Sequence, residues 1–178
     1  MKKVKFKTRS VTAAAIIGAA YAALTMMLAP LSYGAIQLRI SEVLCILPFF
    51  IPSSAWGLFI GCAIANVLTG NVFDIIFGSL ATLAAGLLTA YIGKRGQSMK
   101  NSILACLMPV LFNAVVVGAV ITEAYIGVHI IENFEVFAMN ALYVGIGEAV
   151  VLFVIGLPLM RYLSRNRFFK EYADKINS

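Results

Sequence analysis

Charge is scarce in this sequence. Only 12% of the 178 residues are charged and 61% are hydrophobic, whereas a soluble domain carries about a quarter charged and about half apolar residues. With a mean hydropathy of +0.93, that shortage excludes an ordinary water-soluble globule and makes lipid the solvent. Cysteine is nearly absent: Cys45, Cys62 and Cys106 each fall inside an apolar run with no CxxC pairing, which excludes a disulfide framework and a thiolate metal site. They read as small packing residues. His129 is the single histidine, has no partner at metal-ligand spacing, and reads as a surface residue rather than a ligand. No GxSxG string, Ser/His pairing or HExxH is present to support an intramembrane hydrolase. The nearest string to a Walker A loop, GLLTAYIGKRG, has the wrong spacing and the wrong final residue, so ATP is not hydrolysed by that route. An internal repeat is missing too, which weakens the case for an inverted-repeat secondary transporter. The chain reads as a non-enzyme with no cofactor and no metal.

Apolar stretches long enough for a helix to cross a core of roughly 30 Å are there instead. The pattern predicts a single all-α integral membrane domain over residues 1–178, with helices near 10–29, 38–51, 55–70, 74–93, 102–122 and 137–162. A basic leader (1–9) precedes them and a basic tail (163–178) follows. The leader and first apolar stretch have the look of a secretory signal, yet the stretch is longer than an h-region of about 7–15 residues, so it is expected to stay as the first helix.

Basic residues fall into three clusters: Lys2, Lys3, Lys5, Lys7 and Arg9; Lys94, Arg95 and Lys100; Arg161, Arg165, Arg167, Lys170 and Lys175. Short positive segments mark the cytoplasmic side, and six spans with both termini inside put all three clusters there. The net charge of +6 is therefore a topology signal, not a nucleic-acid surface. Arg39 is the one basic residue elsewhere. Glu42, Asp74, Glu123, Glu132, Glu135 and Glu148 fall outside or in the outer half of the membrane, leaving a balance there of about five negative charges that would draw a cation.

The second segment is short and polar for a span: Pro48 and Pro52 interrupt one end, while Arg39, Ser41 and Glu42 occupy the other. Such a helix is tolerated only where protein or a water-filled cavity surrounds it, so a buried polar cavity is expected beside it. Arg39 and Glu42, three apart, can pair on one helix face, either as a structural ion pair or toward a ligand. Glu148 lies about eleven residues, or about 16 Å, into the last segment, where an ionisable group faces the protein interior. It either serves function there or hydrogen-bonds another helix. Asn140, Val144 and Glu148 share one face with Tyr143 adjacent, a polar stripe descending from outside. Asp74 suits helix capping and ligand contact equally. Asn66 and Asn113 are amides inside spans, which bond across helices or face a ligand. Glu123 and Tyr125 open the longest external loop and either close over a site or face solvent.

The first helix carries Ala15, Ala19 and Ala23 at four-residue spacing, with Ala14, Gly18 and Ala22 beside them. Small residues in such rows let another helix approach closely, either within this chain or from a partner protein.

These strings, AIIGAAYAA, RISEVLCILPFF, NVFDIIFGSLATLAA and NALYVGIGEAVVLFVIGLPL, resemble the substrate-binding S components of energy-coupling factor (ECF) transporters, and among them the queuosine-precursor QueT group. The resemblance covers nearly the whole chain. It implies a six-helix S-component-like protein of the bacterial cytoplasmic membrane that captures its solute from outside. Partners follow from it: an ECF transmembrane coupling subunit, docked through the Ala15, Ala19 and Ala23 face, and two cytoplasmic ATPases. The implied solute is a 7-deazaguanine precursor of queuosine such as 7-aminomethyl-7-deazaguanine. Its protonated amine and its N–H edge suit carboxylates. Glu42, Asp74 and Glu148 are the candidates, with Arg39 beside them, Asn113 and Asn140 for the carbonyl and ring nitrogens, and Tyr143 or Tyr33 to stack on the base. The other readings the residues allow are an S component for a different vitamin or nucleobase-like solute, and a self-contained small transporter.

Overall fold

The computed structural model describes residues 8–32 and 38–178, and every element among them is helical. Lys2, Lys3, Lys5, Lys7 and Tyr33 lie outside the described residues. Helix α1 (Thr8–Met27) is followed by a single turn, Ala29–Ser32. Then come α2 (Ile40–Phe49), α3 (Ser54–Thr69), α4 (Asp74–Lys94), α5 (Met99–Ile126), α6 (Phe134–Arg165) and α7 (Arg167–Asn177). Four of them, α1, α4, α5 and α6, are long and apolar enough to cross a membrane, while α2 and α3 are shorter apolar helices.

Helix α2 is wound as a 3-10 helix along its 10 residues, with Pro48 inside it. At about 2.0 Å per residue it reaches only about 20 Å, less than a bilayer core. It survives because it is enclosed: α1, α3, α4, α5 and the middle of α6 all pack around it. Backbone groups that lipid would leave unsatisfied are thereby kept inside protein.

The long helices are not uniform. Wide π-helical turns occupy Asp74–Gly78 at the start of α4, Ile121–Ile126 at the end of α5 and Val150–Gly156 within α6. The last has a visible cause. Pro158 has no N–H for the carbonyl of Val154, four residues back, and that carbonyl lies in the wide turn. Such turns re-aim the side chains around them and recur at functional positions; here they hold or adjoin Asp74, Tyr125 and Glu148.

Helices α1 and α3 cross with backbones in contact. A Cβ added at Gly18 would strike the Gly57 carbonyl oxygen, one at Gly57 the Ala14 carbonyl, and one at Gly61 the Gly18 carbonyl. The row Ala14, Gly18 and Ala22 is therefore spent on packing inside the chain, while Ala15, Ala19 and Ala23 on the adjoining face are exposed. Ile16, Ile60, Ile64, Leu111, Val115 and Val154 are exposed as well. So much apolar surface is unsuited to water and suited to lipid.

Basic residues gather at one end of the bundle. Lys94 and Lys170 line one cleft there and Arg9 and Lys175 another, and Arg161 donates to the Gln97 carbonyl at 3.3 Å. Residues after 163, expected as a tail, form the end of α6 and the helix α7 instead. The Asn166 side chain caps α7 by accepting from the Phe169 N–H at 3.1 Å. Ala173 and Ile176 join Phe49, Phe50, Leu152 and Met160 in the core, and Asn177 donates to the Phe50 carbonyl at 2.9 Å. Its apolar stripe is short and interleaved with Lys and Arg, which hides it in a hydropathy average.

Candidate functional site

Away from the basic end, the buried polar side chains converge around α2. A 3-10 helix has three residues per turn, so positions i and i+3 eclipse. Cys45 therefore sits one turn beyond Glu42 and donates to Glu42 Oε2 at 2.9 Å. Tyr21 of α1 donates its hydroxyl to Oε1 of the same carboxyl. Thr25, one turn further along α1, shares a 2.6 Å hydrogen bond with Ser41. Glu42 is thus locked on both oxygens, in a position only 1% exposed.

Arg39, at the start of α2, is buried and donates Nε to the Ser32 carbonyl at 3.4 Å. Its charge acts on both Asp74 and Glu42. Glu148 of α6 lies within electrostatic reach of Glu42 and Arg39 and accepts from Asn113 Nδ2 of α5 at 2.7 Å. Its second oxygen, Oε2, is buried with no hydrogen-bond partner among the described residues.

Asp74 is buried in the wide turn that opens α4. Oδ2 accepts from the Tyr125 hydroxyl at 3.3 Å, while Oδ1 is buried without a partner among the described residues. Asn66 of α3 donates to the Asp74 backbone carbonyl at 3.0 Å and to Cys62 Sγ at 3.6 Å. Its Oδ1 is in the same condition as Asp74 Oδ1.

Arg39, Glu42, Asp74, Asn113 and Glu148, spread over four helices, are thus brought into one buried neighbourhood. Asn140 is half-buried and turned to α5, where its Nδ2 donates to Thr122 at 3.0 Å. Tyr143 is 40% exposed, on the flank of α6 beside the buried Val144 and Glu148. Glu123 holds the loop after α5, accepting from the Ile130 N–H at 3.0 Å and lying 3.3 Å from His129, both on the surface. Two cysteines do more than pack: Cys45 is a donor to Glu42, and Cys62 Sγ accepts from Asn66 and from Thr82 at 3.4 Å. A thiol three residues from a carboxylate in a short polar helix is the signal that spacing offered. Tyr21 had a weaker one, as the lone aromatic in a small-residue helix, and nothing in the sequence paired it with Glu42.

The arrangement suits a solute rich in N–H donors. Buried acceptor oxygens without partners are costly, so they are expected where a ligand supplies the donors. Among the described residues no cluster of His, Cys, Asp or Glu has the make-up of a metal site.

The chain is 42% identical over 81 residues to the Queuosine precursor transporter QueT of Lactococcus lactis subsp. cremoris (strain MG1363), a stretch covering 44% of this chain and 48% of that relative. The match thus spans about half the relative's length. No solved structure matches the chain. A profile described as QueT transporter matches residues 11–165, from the first turns of α1 to the last residue of α6, and so takes in every buried polar residue of the cluster. With several apolar helices and that match over most of its length, this multi-pass membrane protein belongs to the QueT transporter family.

Proposed function

We propose that the chain is the solute-capturing subunit for uptake of a 7-deazaguanine precursor of queuosine, 7-aminomethyl-7-deazaguanine or a close analogue. The observation that carries this is the pairing of buried carboxylates with open acceptor oxygens, Glu148 Oε2 and Asp74 Oδ1. Such a solute offers a protonated amine and the N–H and amino groups of a guanine-like edge, which carboxylates bind by charge-assisted hydrogen bonds. The name of the Lactococcus relative supports the same solute class.

In this reading Asp74, Glu148, Asn113 and Arg39 contact the solute, Glu42 fixes α2 from within the same site, and Asn140 and Tyr143 join it from α6 on binding. Six spans with both termini in the cytoplasm of a bacterial cell put the basic end inside, as the positive-inside rule asks. The exposed Ala15, Ala19 and Ala23 face docks an ECF transmembrane coupling subunit, and two cytoplasmic ATPases supply the energy. Beside that face, α1 and α3 enclose an apolar groove of about 360 Å3 lined by Val11, Trp56, Ile60 and Ile64. A transmembrane helix of the partner fits such a groove, because helices associate in lipid through close packing of small residues.

Mass spectrometry of small molecules that co-purify with the protein tests the solute. A 7-deazaguanine is expected, and a vitamin in its place would overturn this reading. Proteoliposomes carrying the chain alone are expected to bind solute without sustained accumulation, and accumulation in the absence of any partner would refute the need for a coupling module.

A further inference from the structure

We infer that Asp74 and Asn66 form a subsite that reads a primary ammonium group, so that the solute lies with its charged amine toward α3 and α4 and its ring edge toward Glu148 and Asn113. This rests on the proposed function and assigns a polarity to the bound solute. It also gives a role to Asn66, a residue that the binding cluster above does not use.

The three buried carboxyls differ in what they have left to offer. Glu42 is saturated, by Tyr21 on one oxygen and Cys45 on the other, and acts as a positioning residue for α2. Glu148 has one open oxygen, and its neighbour Asn113 donates to the other. At the third carboxyl, Asp74 Oδ1 and Asn66 Oδ1 are both buried and both without a partner among the described residues. Asn66 has already directed its amide N–H groups to the Asp74 carbonyl and the Cys62 sulfur, so its oxygen is oriented and it has no donor to spare. Asp74 and Asn66 between them offer two open acceptors, one negative charge and no unused donor of their own, which disfavours a carbonyl or a ring nitrogen. The pair suits a group made only of donors and carrying a positive charge, which is an ammonium with its three N–H bonds.

Gly78 makes the pair possible. A Cβ there would lie 2.9 Å from Asn66 Nδ2 and 3.0 Å from Asp74 Oδ1, so a side chain at this position would push the two polar groups off their places. The Tyr125 hydroxyl donates to Asp74 Oδ2, which leaves Oδ1 as the carboxylate oxygen without a partner among the described residues. The charge of Arg39 reaches Asp74, Glu42 and Glu148, so it is shared among the three carboxyls.

The test compares two ligands that differ in the amine. Affinity of the purified protein for 7-aminomethyl-7-deazaguanine and for the neutral 7-cyano-7-deazaguanine is measured by calorimetry, in wild type and in Asp74→Asn, Asn66→Ser and Glu148→Gln. Loss of a charge-assisted hydrogen bond predicts that Asp74→Asn weakens the amine by at least about tenfold and changes the nitrile by less than about twofold. Asn66→Ser, which carries the same selective expectation, serves if Asp74→Asn does not fold, and Glu148→Gln is expected to weaken both ligands. Wild-type protein that binds amine and nitrile equally, or an Asp74→Asn that weakens both alike while keeping its thermal unfolding midpoint, overturns the subsite and leaves the proposed solute class standing. Binding of neither compound by the wild type refutes both. Nitrile affinity that rises in sodium chloride over choline chloride, and loses that rise in Asp74→Asn, would assign the pair to an alkali cation and overturn the inference.

Discussion

Replacing Gly57 by alanine should part α1 from α3 and unlock the binding cluster at a distance. The new Cβ would overlap the Ala14 carbonyl oxygen and stand 2.7 Å from its carbonyl carbon and 3.0 Å from its Cα, against an ordinary contact of 3.4–4 Å. All three atoms are backbone, so no side chain can swing aside and α1 as a whole must move out by about 1 Å. Overpacking of this kind costs about 1–3 kcal/mol, and the helix-propensity gain of alanine over glycine, about 0.8–1 kcal/mol, offsets part of it. A clash this close, with backbone alone, belongs in the upper half of that range, so a net loss of about 1–2 kcal/mol is expected. The shift is carried along α1 to Tyr21 and Thr25, which hold Glu42 and Ser41 of α2. Solute affinity should therefore fall together with stability, although Gly57 touches none of the binding residues. The assay is thermal unfolding in detergent followed by circular dichroism, alongside calorimetric binding. Gly145→Ala is the control, since its Cβ would meet only the side-chain carbon of Ala114 at 3.3 Å and its effect should stay within about 0.5 kcal/mol. A Gly57→Ala protein as stable as wild type, with unchanged affinity, would refute the reasoning.

Two further outcomes can be checked. Asn113→Leu removes the donor to Glu148 Oε1 and leaves a buried carboxyl oxygen unsatisfied, so a loss of about 1–3 kcal/mol in unfolding experiments and weaker solute binding are expected. Ala19→Trp enlarges the exposed α1 face without entering the core; binding in detergent should be unchanged while energised uptake with the coupling module falls to background, and uptake at the wild-type rate would exclude this face from docking.

The membrane character, the segments α1–α6 and the gathering of basic residues at one end were legible in the sequence, because hydropathy and charge act locally and accumulate along the chain. Glu148 and the short polar α2 were legible for the same reason: an ionisable or proline-broken stretch in apolar surroundings is anomalous before any fold is known. What those residues do to one another was decided by tertiary structure. The 3-10 winding that stacks Cys45 on Glu42 occurs in a helix enclosed by its neighbours, and no propensity scale signals it. Tyr21 reaches Glu42 because Ala14, Gly18, Gly57 and Gly61 let two backbones touch, a contact between segments some forty residues apart. Which of two adjacent small-residue rows on α1 is spent inside the chain, and which is left free, follows from that crossing alone. Asn66 and Asp74 look interchangeable with any capping amide or carboxyl until their partners are counted. Helix α7 went unread because its apolar contacts, Ala173 and Ile176, are few, and become meaningful only where Phe49 and Phe50 arrive from a distant part of the chain. Pattern sets which segments are helices in lipid; long-range packing sets which buried polar atoms find partners.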